Sequence, residues 1–441
     1  MAGYKHASEI FGEAGTVDAY LRFEAALAKT EGGLGVIPSD AVGPIVAACC
    51  RERLDIDRLR IAAATVGYPI VPLVSMLADL AGEHGQWVHY GATTQDVMDT
   101  AQVLQLREAL SGVLTDLAGV EQLLAGLCDT YRTTPMAGRS KLQHGVPVSF
   151  GYKAAVWLDQ IMRTRVGLTR ALDEASVLQF GGAVGTLASL RGKGMEVRRK
   201  LATDLALAEP SISWHVNRDR MAALAASTAT TLAALAKMAG DVAHLMSTEV
   251  GELCEPAAKG RGSSSTMPQK RNPVICEAIL EAARHVRHAP AVVLEAMLQE
   301  HERGIGHGYR ERSVLCDAVQ QLAGAVSLAH ELLAGLEVNE PRMLSNLQMT
   351  KGLIHSEAVM IHLSEEVGRI KAHHLLHVIS RRVSETGIDL GAAIEETTGI
   401  ALPSDVLDAK AQIESAQEMI DMVLDNFRNG EQTFKRRQTK A

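Results

Sequence analysis

Apolar residues recur in steps of three and four through most of the chain. Between Val103 and Tyr131 they fall at 103, 106, 110, 113, 117, 120, 124, 127 and 131. On a helix of 3.6 residues per turn these positions form one stripe about eight turns long. Phe150–Leu172, Met221–Leu253, Val274–Met297 and Asp317–Leu336 read the same way, and each is longer than the average globular helix. Their Ala-rich apolar faces are too wide to be covered by one neighbour, which predicts a central bundle of long helices that oligomerises. No alternating strand pattern of comparable strength appears, and no Gly-rich phosphate fingerprint follows a strand. The fold expected is all-α: a long-helix domain over 98–345, flanked by smaller helical domains at 1–97 and 346–441.

Composition supports helices. Of 441 residues, 47% are hydrophobic and only 4% aromatic, so the core is built from Ala, Leu and Val rather than from strand-favouring rings. The formal net charge of −8 argues against a nucleic-acid binder or a polybasic membrane anchor. No basic segment followed by an apolar one marks the N-terminus as a signal peptide. The charge-free stretch Met221–Ala236 carries four Ser or Thr residues and is short for a membrane span, so it reads as a buried bundle helix. The six cysteines contain no C-x-x-C pair and suit free thiols in a reducing cytoplasm. No His, Cys, Asp or Glu grouping has metal-ligand spacing, and the His373–His374 pair reads as structural.

Three polar stretches interrupt the helices: Gly85–Asp99, Pro135–Gly151 and Ala257–Pro273. A fourth, Gln299–Arg312, reads QEHERGIGHGYRER, and the basic tail FKRRQTKA reads as solvated and disordered. Gly-rich breaks at helix ends free backbone donors and are natural binding positions. Lys259–Asn272 holds four cationic side chains and no acid, a local reversal of field in an acidic protein. Loop N–H groups, Ser hydroxyls and Lys together suit a carboxylate or a phosphate; a flexible surface loop is the alternative on composition alone.

The wording of that loop, GSSSTMPQKRNP, resembles the signature GSSxMPxKxNP of the fumarase/aspartase superfamily. HYGATTQDVMDTA and GRSKLQHGVPVSFG resemble the family's first and second regions. GYPIVPLV, QFGGAVGTLASL and WHVNRDR are similar to the 3-carboxy-cis,cis-muconate cycloisomerase branch, and ERGIGHGYRERSVLCD to adenylosuccinate lyase. The likeness extends from FEAALA at Phe23 to GLIHSE at Gly352. It implies a homotetramer with a twenty-helix core, each active site drawn from three subunits. It also implies anti β-elimination from a substituted succinate, with C–N or C–O cleavage and release of fumarate, without cofactor or metal. Lactonisation of a carboxymuconate and a non-catalytic scaffold are the alternatives.

The resemblance also implies roles for individual residues. Counting back from Lys270 places the catalytic base at Ser264, with Lys270 and the loop N–H groups lowering its proton affinity, and with Lys270 and Asn272 holding the substrate carboxylate. Ser263, Ser265 and Met267 belong to the same binding loop. Thr93, Thr94 and Gln95 match carboxylate-binding positions, acting through hydroxyl and amide donors; either threonine could equally cap the following helix. His89 is a further catalytic candidate. In the second region Arg139 and Gln143 match binding positions, while Lys141 replaces the general-acid His of many relatives and the Trp of the cycloisomerases. Arg303 and Arg312 match arginines that hold the distal part of the substrate, their plain alternative being surface pairs with Glu302 or Glu311. The Tyr68-Pro69 pair stands where adenylosuccinate lyases carry His, which counts against that activity. The expected partners are a small polycarboxylate and three copies of the same chain.

Overall fold

The computed structural model describes residues 2–258, 260–263, 265–305 and 308–438. Helices dominate, as the periodicity predicts. The longest runs from Thr94 to Thr130, and its stripe is the core: Val103, Leu106, Leu110, Val113, Leu117, Val120 and Leu124 are all buried. The second stripe forms Phe150–Ala175. Three expectations need correction. The helix expected to reach Leu253 spans Asp219–Leu245, because a turn at Gly251 (φ +61°) brings Glu252 back to donate its N–H to the Leu245 carbonyl. Val274–Met297 is two helices, Val274–Val286 and Ala289–Glu295, parted before Pro290, whose nitrogen carries no hydrogen for the ladder. The last long helix starts earlier than its stripe, spanning Gly308–Ala334.

Helices Thr94–Thr130 and Asp219–Leu245 are long and apolar enough to cross a membrane. Leu224, Leu232, Leu235, Met238 and Val242 are nonetheless fully enclosed by protein, in keeping with a bundle helix. The C-terminal helix Ser415–Gln438 continues into the tail expected to be disordered.

The chain groups into two compact units that interleave along the sequence. The first comprises Met1–Asp116, Thr164–Ala233 and Glu281–Ser327. Its N-terminal core gathers Phe23 and Leu27 from helix Glu13–Gly33, Ile45 from Ser39–Ala48, and Leu73 and Leu77 from Ile70–Ala81. The second comprises Leu117–Arg163, Ala234–Leu280 and Leu328–Ala441. Within it, helices Ser356–Val367, Arg369–Thr386 and Leu390–Thr398 enclose a separate core of Val359, Leu363, Ala372, Ile379 and Ile394.

The second unit also holds an element the pattern did not predict. Pro135–Ser140 and Gln143–Ser149 pair as an antiparallel hairpin with a bulge at Gly138. A Cβ at Gly138 would lie 2.5 Å from the Val146 carbonyl, so only glycine permits this approach. The turn is Lys141-Leu142, with φ of +52° and +65°. Left-handed backbone at both central positions is a hairpin geometry that normally calls for Asn or Gly.

Candidate active site

The first unit contains a cavity of about 400 Å3 lined by Thr93, Thr94, Gln95, Met98, Asp99, Arg218, Arg303 and Arg312, with Tyr68 and Gln299 at its walls. Five expected site residues, drawn from two distant stretches, therefore share one pocket. Its floor is the start of helix Thr94–Thr130. Asp96, the third helical residue, reaches back to accept the Thr93 N–H at 3.1 Å, half of a capping box. The same carboxylate accepts the N–H groups of Gly181 and Gly182 and bonds His215 Nε2 at 2.8 Å. Thr93 is thus the capped residue, and neither threonine hydroxyl is engaged among the described residues.

One turn further on, Asp99 anchors a buried network. Arg218 donates to Asp99 at 2.9 and 3.3 Å and to Glu311 at 2.9 and 2.6 Å. Arg312 donates to the Met98 carbonyl and, at 3.2 Å, to Asp99. Burial alone would raise the Asp99 carboxyl, but Arg218 and Arg312 outweigh it and hold the group below the usual carboxylate range. Arg218 stacks over Trp214, 4.9 Å from the ring centroid, and burial fails to lower its affinity for the proton against two carboxylates. Asp99 and Glu311 balance Arg218 and Arg312. Arg303, which donates to the Gly182 carbonyl at 3.1 Å and keeps its buried Nε unpartnered, pairs with no carboxylate among the described residues. The cavity therefore carries one unmatched positive charge beside two threonine hydroxyls, a receptor for a carboxylate. The surface pairs of Arg303 with Glu302 and of Arg312 with Glu311 do not form.

His89, at φ +61°, lies beneath the same loop, with Nδ1 2.7 Å from Glu24 Oε1. Burial disfavours its charge, yet Glu24 and Asp96 together raise its pKa above the ordinary value. Glu31, wholly buried with neither oxygen partnered among the described residues, is pushed up to about 9 by burial and by Glu24.

The other candidates belong to the second unit. Arg139 forks onto Glu252 at 2.7 and 2.9 Å, and Asn346 donates to the same carboxylate at 2.9 Å. Both terminal nitrogens of Arg139 are thereby committed to the protein. Arg139 pairs across the hairpin with His144, whose pKa is lowered by burial and by that guanidinium. Gln143 pairs with Ser140 beside the turn, and Lys141 stands exposed at the tip.

The signature loop is closed at its base. Gly262 (φ +65°) offers its carbonyl to both the backbone and side-chain nitrogens of Asn272, at 2.9 and 3.1 Å. One of the two hydrogens of the Asn272 side-chain amide is therefore spent on the loop itself. Ser263 bridges Arg271 and donates its hydroxyl to the Gly260 carbonyl at 2.9 Å. Arg271 is fixed by Glu337 and the Glu255 carbonyl. Ser265, Met267 and Lys270 are exposed on the span above this base. Ser264 and His307 lie outside the described residues.

Sequence reasoning missed Asp99, Arg218 and Glu252. A usable signal existed for the first: Gln95, Asp96 and Asp99 at one-turn spacing open a buried stripe, where acids require partners.

Comparisons with known proteins agree with this picture. Residues 5–287 match the family described as Lyase. The 3-carboxy-cis,cis-muconate cycloisomerase of Pseudomonas aeruginosa is 42% identical over 90% of this chain and 88% of its own. The N-acetyl-S-(2-succino)cysteine lyase of Enterococcus italicus is 36% identical over 83% of this chain and 81% of its own. The crystal structure of the 3-carboxy-cis,cis-muconate lactonizing enzyme from Pseudomonas putida superposes with a TM-score of 0.92 at 38% identity, covering 97% of this chain and 98% of that one. The signature loop, the helical fold and relatives matched over nearly the whole length converge, and the chain belongs to the fumarase/aspartase superfamily of lyases.

Proposed function

We propose that the protein is a cofactor-independent, cytoplasmic lyase that removes a proton beside a carboxylate of a substituted succinate and expels a nitrogen or oxygen group, releasing fumarate. The observation that carries this reading is the unmatched Arg303 in a cavity shared with the free hydroxyls of Thr93 and Thr94. Proton abstraction from such a substrate builds charge on carboxylate oxygens, and preorganised donors lower the barrier only if they already face that charge. Arg303 and the threonines hold one carboxylate, Arg312 stiffens the wall, and Lys270 meets the developing dianion. Ser264 takes the proton. Ser263 is the weaker candidate for base, since its hydroxyl already donates to Gly260. Lys141 or His89 delivers a proton to the departing group, and Arg139 with Glu252 braces the hairpin behind Lys141.

The subunit would comprise the three sequential segments 1–97, 98–345 and 346–441, assembled as a homotetramer with shared sites. Mixed tetramers of Ser264→Ala and Thr93→Val chains should regain partial activity if regions from different chains meet in one site. Lactonisation of a carboxymuconate is the second reading, favoured by the cycloisomerase relatives at 40–42% identity. Incubating the enzyme with fumarate and a panel of ammonia, amines and nitrite, and separately with 3-carboxy-cis,cis-muconate, decides between them. Loss of fumarate absorbance with a nucleophile supports the elimination; turnover of the muconate alone replaces it by the second reading.

A further inference from the structure

Helix Glu13–Gly33 buries two acids on one face. Glu24 and Glu31 stand about two turns apart and are 1% and 0% exposed. Glu24 Oε2 and both oxygens of Glu31 have no hydrogen-bond partner among the described residues. The elements packed around them offer one group that can carry the opposite charge. The loop before helix Thr94–Thr130 brings His89, whose Nδ1 lies 2.7 Å from Glu24 Oε1. The end of helix Ser39–Ala48 brings Cys49, whose thiol is pushed up to about 12 by burial and by Glu24 and so stays neutral. On helix Gly194–Asp204, Lys200 pairs with Asp204, which also accepts the Thr30 hydroxyl at 2.9 Å, and Arg198 pairs with Glu209. Lys193 donates to the carbonyls of Leu34 and Gly35, and Arg51 pairs with Asp18 and Glu52. Lys29, exposed on the same helix, acts on Cys49.

Two carboxyls facing one imidazole leave a charge too many for so dry a place, and a buried acid without a partner keeps its proton. Glu24 has the imidazole, so the proton belongs to Glu31, where burial and the Glu24 charge raise the pKa to about 9. His89 is more than a counter-charge. It sits at φ +61°, a strained backbone for a residue with a side chain, and its carbonyl accepts the Ala92 N–H at 3.3 Å in the turn that delivers Thr93 to the cavity. The geometry points to Glu24 and Glu31 as positioning residues: they share one proton, and that proton keeps His89 clamped in the turn that leads to Thr93. Ionised Glu31 has no donor of its own among the described residues, so it competes with Glu24 for the imidazole and admits water, and the clamp opens. The clamp is complete below the folded Glu31 pKa and is lost as pH rises through it. The inference rests on the proposed ligand cavity only for what a displaced Thr93 does to binding.

Trp87, half-buried with its ring centroid 5.5 Å from that of Tyr90, flanks the turn and reports on it. In the full-length protein, acrylamide quenching of Trp87 fluorescence, taken as the difference from Trp87→Phe, should rise between pH 7 and pH 10. Glu31→Gln, the isostere of the protonated side chain, should hold the pH 7 value throughout. Glu24→Gln should show the raised value already at pH 7. In the Ser264→Ala background, succinate affinity measured by calorimetry should fall roughly five- to a hundredfold over the same range, the effect of releasing one strained residue, and should stay level once Glu31→Gln is added. Infrared difference spectra of the wild type, which need no variant to fold, should lose the C=O stretch of a protonated carboxyl between pH 7 and pH 10. Absence of that band, quenching that does not rise, or a rise that survives Glu31→Gln would overturn the shared proton. Succinate that binds equally well at both pH values would overturn the link to Thr93, and the inference with it. Quenching that behaves as stated while no dicarboxylate binds at any pH would overturn the succinate reading and leave the clamp standing.

Discussion

Arg218→Met should be among the most damaging single substitutions in the first unit. The guanidinium is 2% exposed and supplies four hydrogen bonds to two carboxylates that are themselves 2% and 0% exposed. Methionine fills similar volume, so the loss is electrostatic and not a cavity. The two acids are stranded unequally. Asp99 retains Arg312 at 3.2 Å and the Gln95 amide, whereas Glu311 has no other partner among the described residues. Removing one member of a buried pair costs about 3–5 kcal/mol, because the other is left charged in a poor solvent. In the wild type, a depressed Asp99 pKa gives stability that is present above the unfolded carboxylate pKa and lost as pH falls through the folded value. In the variant the sign reverses. A stranded carboxyl takes up a proton more readily folded than unfolded, so the folded state gains as pH falls. Urea unfolding at pH 7 and pH 5 should show a deficit that shrinks at the lower pH, and adding Glu311→Gln to Arg218→Met should recover much of it. A deficit below about 1 kcal/mol, or one indifferent to pH and to the second substitution, would show that Arg218 is not the centre of this network.

Ser264→Ala should lower kcat by about 10²–10⁴, as expected for a lost proton-transfer group, while Ser263→Ala stays within a few-fold; steady-state kinetics showing the reverse would exchange the two serines. Lys141→Met should reduce kcat more than it raises KM if the ammonium protonates the leaving group, and raise KM alone if it binds a carboxylate; no change in either would make it a bystander. Glu31 carries a pKa raised to about 9, so the folded state binds an extra proton above the unfolded carboxylate value, and that stability is lost as pH rises toward 9. Glu31→Gln should therefore flatten the decline in urea stability between pH 6 and pH 9, and an unaltered slope would place the buried charge elsewhere.

The long helices were legible because burial repeats with the helical period: the positions from Val103 to Leu124 that form the stripe are the ones enclosed. The hairpin was not. Gln143, Gly145 and Val146 face solvent, and Pro147 interrupts the alternation that a half-buried strand would show. The loop wording led to the right family and to a pocket shared by Thr93, Thr94, Gln95, Arg303 and Arg312. It could not show which polar atoms remain free. Arg218 finds Asp99 across 119 residues and Glu311 across 93, pairings that no local pattern encodes. For the same reason the hydroxyl of Ser263 and the nitrogen of Gln95 look like ligand donors in the sequence, yet in the fold each donates to the protein.

The turn at Lys141-Leu142 has a consequence for how the chemistry could be altered. Two residues with side chains are held in a left-handed backbone that costs on the order of 1–3 kcal/mol each, while the strands beneath are fastened by Arg139, Glu252 and Asn346. Nothing in the core depends on which side chain crowns the turn. If Lys141 is the proton donor proposed above, position 141 is an interchangeable tool head: acid, aromatic or neutral residues can be mounted there without rebuilding the handle. A library confined to this codon, free of β-branched residues that the left-handed backbone disfavours, would test that role on different leaving groups, and Asn-Gly at the pair would give a sturdier scaffold with an empty socket.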